Sequence, residues 1–437
     1  MNGWGVILRL GTVQAAIGAM VMLATSLLNR VMVVELGLAA AIPAGLVAWH
    51  YAVQLSRPLS GHASDRTGRR TPWIVAGMSL LALGSLIAVE AVAALPVGAA
   101  SQLTTLVLGF TMIGLGVGAA GTALLALLAA AVPPDRRAAA AATTWIMMVA
   151  GIAVAAGVAG SLLQPFTFDR LVVVAGGLVA IALDAALAAI VRLERGITVA
   201  EPRPAVPFGS ALHEVRRDRE AVRFTLFVFL SMLAYSMQDL ILEPFTGLVF
   251  GAAPGQSTQY AGVQHGGILI GMVLAGLGGG RARRRWGLSL QWWTVGGCLG
   301  SAIALAGLAG SALAGPPWPI AGNIFLLGLM NGIFAAAAIG AMMELAGTDG
   351  SARAGVRMGV WGAAQAFAFG TGGLLGAVIT DIARRLLGHD GQAFALTFAG
   401  EAGLFLVAAL FAVRLPAAAR GRPEAGDYQW SASTPSS

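Results

Sequence analysis

Twelve stretches of about 20 or more almost wholly apolar residues follow one another along this chain. They lie at about 11–34, 42–63, 72–95, 103–131, 139–161, 171–191, 224–247, 259–279, 288–313, 320–345, 358–381 and 393–413. About 20 apolar residues in helical form cross a bilayer, and lipid leaves only helices or closed barrels with their backbone groups paired. The expected fold class is therefore an all-α polytopic membrane protein with 12 transmembrane helices. Composition agrees: 11% of residues are charged, against about 25% in soluble domains, and the mean hydropathy is +0.79. The first apolar run, preceded by Arg9, is too long for a signal-peptide core and reads as a retained span. The single cysteine, Cys298, sits in an apolar stretch, which argues against a disulfide framework or a Cys-rich metal site.

The charge pattern gives an orientation. All 27 basic residues are Arg, and with the N-terminus inside, 22 of them fall in cytoplasmic segments. The exceptions are Arg30, Arg57, Arg170, Arg384 and Arg385. This bias follows the positive-inside rule and predicts an even number of spans with both termini cytoplasmic. The net charge of +7 is thus topological, with membrane lipid as its partner and no nucleic acid implied. Residues 194–222 read as a cytoplasmic linker. Its second part, "SALHEVRRDREAVRF", reads as a short basic helix with Ser210 as N-cap, facing lipid headgroups or a docking protein. Residues 416–437 read as a disordered cytoplasmic tail.

The chain repeats itself. "GHASDRTGRR" (61–70) and "GLGGGRARRR" (276–285) align without gaps, matching Gly61, Arg66, Arg69 and Arg70 to Gly276, Arg281, Arg284 and Arg285. Arg137 and Trp145 recur almost in register as Arg353 and Trp361. Two six-helix halves, 1–193 and 223–415, repeated in parallel are the layout of the major facilitator fold. "GHASDRTGRR" also resembles that superfamily's signature between spans two and three. There Gly61 and Gly68 permit a tight turn, and Asp65, Arg66, Arg69 and Arg70 form a conformational latch. The second copy lacks the acid, with Gly280 in place of Asp65.

Motifs typical of proton- and drug-coupled members are absent. In "TMIGLGVGAAG" Met112 and Leu115 stand where Arg and Gln are usual, and "AGIAVAAGVAG" has no proline. Ionisable groups deep in spans are few and isolated: Glu90, Asp184 and Glu401. The distinctive polar stretch is "SMQDLILEPFTGLVFG" (236–251), where Asp239 and Glu243, with Gln238 beside them, share a helical face ahead of Pro244. Asp239 lies roughly 24 Å and Glu243 roughly 30 Å along the helix from Arg223, and Arg30 lies roughly 31 Å beyond Arg9. Spans one and seven face each other in this fold, so Arg30 is expected to pair with Asp239 or Glu243. The site is then either a salt bridge closing the halves or a cargo contact. The repeat offset also superposes His50 on His265. A neutral imidazole can be an axial ligand for the metal of a macrocycle, or simply bond a neighbouring helix. "HGG" at 265–267, with Gly266 and Gly267, leaves room for a flat ligand beside the ring.

"LNRVMVVELG" with "LSRPLSGHASDRTGRR", and "QDLILEPFTGLVFGAAPGQSTQYAGVQHGGILIGM", resemble the PucC/LhaA family of major-facilitator-like proteins over roughly residues 5–415. "PGQST...QHGG" is most similar to the branch described as a bacteriochlorophyll synthase chain. The resemblance implies an assembly factor of the bacterial inner (intracytoplasmic) membrane. It would bind (bacterio)chlorophyll or a late precursor as cargo and deliver it to light-harvesting polypeptides near the pigment synthase. No D-x-x-x-D or D-D-x-x-D run suited to Mg²⁺-diphosphate chemistry occurs in the spans, so the expectation is a non-enzyme. The alternatives are a major facilitator secondary transporter of an unidentified small molecule and a ligand-free accessory subunit of the synthase.

Overall fold

A computed structural model describes residues 3–57, 69–96, 99–132, 137–194, 219–286, 290–347 and 351–414. The apolar runs are helices, as backbone pairing in lipid requires. In chain order they are α1 (Gly3–Met22, prolonged to Glu35), α2 (Ala41–Val53), α3 (Thr71–Ala94), α4 (Ala99–Ala131), α5 (Arg137–Leu162) and α6 (Phe168–Ile190). The second series is α7 (Arg219–Phe250), α8 (Pro254–Trp286), α9 (Leu290–Ala314), α10 (Ile320–Gly347), α11 (Ser351–Leu387) and α12 (Asp390–Val413). Among the described residues ten are long and apolar enough to cross a membrane. The others are α2, with 13 residues, and α8, whose first turns carry Gln256, Ser257, Thr258 and Gln259.

Helix packing repeats from one half to the other. In the first half α1 packs on α5 and α6, α3 on α4 and α6, and α2 on α4; in the second, α7 packs on α11 and α12, α9 on α10 and α12, and α8 on α10. The halves meet along α5 with α8 and along α2 with α11, a pair of contacts related by the same repeat, and α1 touches α7 between them. Small residues let backbones approach closely at these seams. A Cβ on Gly160 would lie 2.6 Å from the Gly255 carbonyl, and one on Gly255 would lie 2.4 Å from the Gly160 carbonyl. The seam is therefore closed by direct backbone contact at the end of the bundle opposite the N-terminus, the distal end. Gly116, the remnant of the transporter motif, is a packing residue: its Cβ would meet the α3 backbone at Leu81 N, 2.6 Å away.

Several boundaries differ from the sequence reading. "GLGGGRARRR" is the last part of α8, and Arg353 and Arg357 lie on α11, so these segments are helical extensions rather than loops. Arg219 and Arg223 belong to the first turns of α7 and not to a separate basic helix. The rest of that linker, Ser210, the 416–437 tail, and Gly61, Asp65, Arg66 and Gly68 of the latch motif lie outside the described residues. The latch residues Arg69 and Arg70 are described. The Arg70 and Thr71 amides opening α3 donate to Glu194, just beyond α6, at 2.6 and 3.0 Å. Arg9 similarly closes α6, donating to the Ala189 and Val191 carbonyls at 2.7 and 2.6 Å. Both arrangements place charge where helix ends leave unpaired backbone groups.

Candidate functional site

Where α1 meets α7, α1 departs from α-helical geometry. π-helical turns at Leu23–Leu27 and Val31–Glu35 bracket a short α-helical piece, Leu28–Arg30. Such turns occur often at functional positions, and this region carries the buried Ser26, Asn29 and Arg30. Opposite it, α7 runs through Pro244 without stopping. Proline has no N–H to give the carbonyl four residues back, which here is that of Leu240. That carbonyl instead accepts a hydrogen bond from Asn29 Nδ2 across the two halves, at 2.7 Å. The distal end of α7 closes with Gly251 in the left-handed region (φ 68°) and the Ala252 amide donating back to Thr246, at 3.1 Å. This Gly-terminated turn aims the Ala252 carbonyl at Arg30, whose Nη2 donates to it at 2.6 Å.

Arg30 does bridge the halves, but not through the expected ion pair. Its carboxylate partner is Glu35, with Ser257 Oγ accepting from Nε at 3.3 Å. Residues five apart point in different directions on an α-helix, yet the π turn at Val31–Glu35 brings Glu35 round onto the face of Arg30. Gly247 makes room for the guanidinium; a Cβ there would lie 3.1 Å from Arg30 Nη2. Glu243, 3% exposed, accepts hydrogen bonds from Ser26 Oγ and, at 3.3 Å, from Thr258 Oγ1. It lies within the electrostatic reach of Arg30 without touching it. A further interhalf lock, which the sequence reading missed, is Asp381 of α11. Its two carboxylate oxygens accept the Ala40 and Ala41 amides at the start of α2, at 3.1 and 2.8 Å.

Asp239 stands apart from this network. Among the described residues its carboxylate has no hydrogen-bond or ion-pair partner, and its Oδ1 is buried. One helical turn before it, Tyr235 packs edge-on to Phe369 of α11 (5.7 Å between ring centres). Phe369 also lies 6.3 Å from Tyr51 of α2. Asp239 is within electrostatic reach of both tyrosines and of Glu401. Asp239, Tyr235, Tyr51 and Phe369, on three helices of both halves, each keep some exposure where the halves meet. The acidic pair is thus split: Glu243 belongs to the lock, and Asp239 lies one helical turn from the aromatic row at Tyr235. Gln238 is fully buried, with both amide atoms unpartnered among the described residues. Of the three isolated acids in spans, Glu90 and Asp184 are exposed. Glu401 alone is buried, with neither carboxylate oxygen partnered.

The two histidines differ as well. His50 is buried, and its Nε2 is occupied by the Gln54 side-chain amide at 2.9 Å. Gln54 Oε1 in turn accepts from Arg57. With Nε2 the acceptor, Nδ1 carries the proton. Neither nitrogen is left for an axial bond. Among the described residues His265 has only Nδ1 engaged, with the Ala261 carbonyl at 2.9 Å, and this fixes an Nε2 free of hydrogen. It shares a helical face with Leu269 and Met272, which pack with Val149, Trp145 and Tyr235. Tyr235 joins that cluster to the aromatic row of Phe369 and Tyr51. A Cβ on Gly266 would meet nothing within 4 Å, leaving open space beside the ring. Gly267 does not: its Cβ would lie 2.6 Å from the Phe325 carbonyl, so that glycine serves α8–α10 packing. An apolar cleft of about 440 Å³, lined by Ile42, Leu46, Trp49, Leu103 and Val107, lies between α2 and α4.

At the other end of the bundle Glu194 is the titrating group outside the spans. Burial pushes its carboxyl up, but the Arg70 and Thr71 amides and the Arg69 charge outweigh this and hold it below the ordinary value.

A bundle of two repeated halves, with polar groups concentrated at their junction, defines a polytopic membrane protein of the major facilitator type. The D-xylose-proton symporter shares this fold with a TM-score of 0.70 at 16% identity, covering 96% of this chain and 99% of its own. Peptide transporter POT, solved with sulfate, gives 0.70 at 14% identity, covering 93% of each chain. The chain itself belongs to the PUCC protein family, whose model matches residues 27–419. It is 46% identical over 417 residues to the Bacteriochlorophyll synthase 44.5 kDa chain of Rhodobacter capsulatus, covering 95% of this chain and 96% of that one. It is 29% identical over 447 residues to Protein PucC of the same organism, covering 94% and 92%. Family and relatives together link the chain to photosynthetic pigment or complex assembly.

Proposed function

We propose that this protein is a non-catalytic membrane assembly factor. It binds (bacterio)chlorophyll or a late precursor between its two halves and passes it to light-harvesting polypeptides near the pigment synthase. In this reading it lies in the bacterial inner (intracytoplasmic) membrane with both termini cytoplasmic, so the distal end faces away from the cytoplasm. The observation that carries the reading is His265: a fixed tautomer with an Nε2 free among the described residues, open space at Gly266, and a helical face packed toward Tyr235. That donor set suits the metal of a macrocycle, since a neutral imidazole held by a backbone carbonyl is a good axial ligand. The apolar cleft between α2 and α4 offers room for an isoprenoid tail. The test is the absorbance spectrum of protein purified in mild detergent from a pigment-making host. A near-stoichiometric macrocycle band that His265→Ala removes and His50→Ala retains supports the reading. Colourless protein that still captures the synthase favours the accessory-subunit alternative, and uptake driven by a proton gradient in vesicles favours the transporter.

A further inference from the structure

We infer that the outward face of α6, with α3 beside it, docks a transmembrane helix of another polypeptide that carries a basic residue within its span. The surface is separate from His265, and the inference does not rest on pigment binding. Asp184 of α6 and Glu90 of α3 are exposed on helices long and apolar enough to cross a membrane. Among the described residues neither carboxylate has a hydrogen-bond or ion-pair partner. Acids within spans ordinarily face the bundle interior or a water-filled cavity, or pair with a cation; an outward-facing acid stands against hydrocarbon until something covers it. Asp184 lies roughly 9 Å from the Ile190 end of α6, a depth its short side chain cannot span. Glu90 lies roughly 6 Å from the Ala94 end of α3. The two helices are neighbours, since a Cβ on Gly176 would meet Leu86 Cδ2 at 4.0 Å.

The surface around Asp184 is shaped for a helix. Gly177, Ala180, Ala185 and Ala188 are exposed beside it and form a low row over which a partner backbone can come close. A Cβ on Gly177 would meet nothing within 4 Å. Val173 and Ile181, each 72% exposed, add apolar contact. Charge then fixes the occupant: a basic residue at the same depth is complementary to the carboxylate, and each shields the other from lipid. Among the described residues a second copy of the chain offers no such cation. Arg30 is buried, Arg57 donates to Gln54, and the exposed Arg223 and Arg385 lie at span ends. The corresponding helices of the second half, α9 and α12, expose no acid and present Ile303, Leu396, Leu406 and Leu410 instead. The docking face therefore belongs to the first half alone.

The test is association of the full chain with a synthetic spanning peptide in phosphatidylcholine vesicles, read by energy transfer from the protein's tryptophans to a dansyl group on the peptide. The peptide is a leucine–alanine helix with one Lys about six residues from its end, matching the depth of Asp184, and its control carries Leu there. Wild type should bind the Lys peptide saturably and about tenfold more tightly than the control. Asp184→Asn should remove that preference. Gly177→Leu, which keeps the carboxylate but raises the surface beside it, should weaken Lys-peptide binding several-fold, and His265→Ala should leave it unchanged. The inference is overturned if wild type does not distinguish the peptides, or if Asp184→Asn keeps the preference. It also falls if phosphatidylethanolamine in the vesicles abolishes the preference, which assigns the face to a lipid amine. Self-association of the chain that Asp184→Asn removes would assign it to a second copy instead. Should Asp184→Asn not yield monodisperse protein, the Gly177→Leu result decides alone.

Discussion

The bond between Asn29 and the Leu240 carbonyl makes a quantitative prediction, because it exists only to offset Pro244. Replacing Asn29 by Leu keeps nearly the same shape but strands a buried carbonyl at the junction of the halves. An unsatisfied buried polar group costs about 1–3 kcal/mol, while side-chain hydrogen bonds within membrane bundles average about 0.6 kcal/mol and reach about 1.7. With the Pro244 N–H absent from this helix, about 1–2 kcal/mol is expected. Asn29 Oδ1 is itself buried and unpartnered, so removing Asn29 carries no second lost bond. Pro244→Ala supplies the missing N–H, and in that background Asn29→Leu should cost less than about 0.5 kcal/mol. The difference, about 1 kcal/mol, is the coupling read from a double-mutant cycle. Unfolding in mixed detergent and dodecyl sulfate, followed by tryptophan fluorescence, measures it. Equal costs in the two backgrounds would refute the link between Asn29 and the proline.

Three other perturbations test neighbouring features. Arg30→Ala and Glu35→Ala should be non-additive in the same unfolding assay, whereas Arg30→Ala and Asp239→Ala should add within about 0.5 kcal/mol, because Arg30 is paired with Glu35 and not with Asp239. Gly255→Ala places a methyl 2.4 Å from the Gly160 carbonyl and should destabilise by about 1–3 kcal/mol, or open the distal seam, read as a longer distance between spin labels on α5 and α8. Glu194 has a depressed carboxyl pKa when folded. Its stabilisation is therefore complete above the ordinary carboxyl range, about 4.3, and fades as pH falls through the lower folded value. Thermal melts should accordingly show a Glu194→Gln penalty of about 0.5–1 kcal/mol at pH 7 that shrinks under acid, and a constant penalty would contradict the capping role.

The architecture was legible because lipid enforces it: apolar length gives the helices, and Arg placement with the internal repeat gives the two halves. Asp239 and Glu243 were conspicuous as acids in an apolar run. Their partners were not legible, since the pairing depends on how α1 winds. An α-helical reading puts Glu35 on a different face from Arg30, and only the π turn at Val31–Glu35 joins them. Nothing local to Pro244 reveals the Asn29 amide that takes up the Leu240 carbonyl it frees. The equivalence of His50 and His265 under the repeat concealed a difference visible in the chain itself: Gln54 follows His50 at helical spacing and occupies its ring, and His265 has no such neighbour. Asp381 and Glu194 gave almost no signal, since single acids at span ends are common and only the fold brings helix N-termini to them.

The most direct test of the central claim, a pigment held between the halves by His265, is the visible absorbance of protein purified from a pigment-making host. The account predicts a macrocycle band near one per chain, lost in His265→Ala and kept in His50→Ala. A band unchanged in His265→Ala, or colourless wild-type protein, would contradict it.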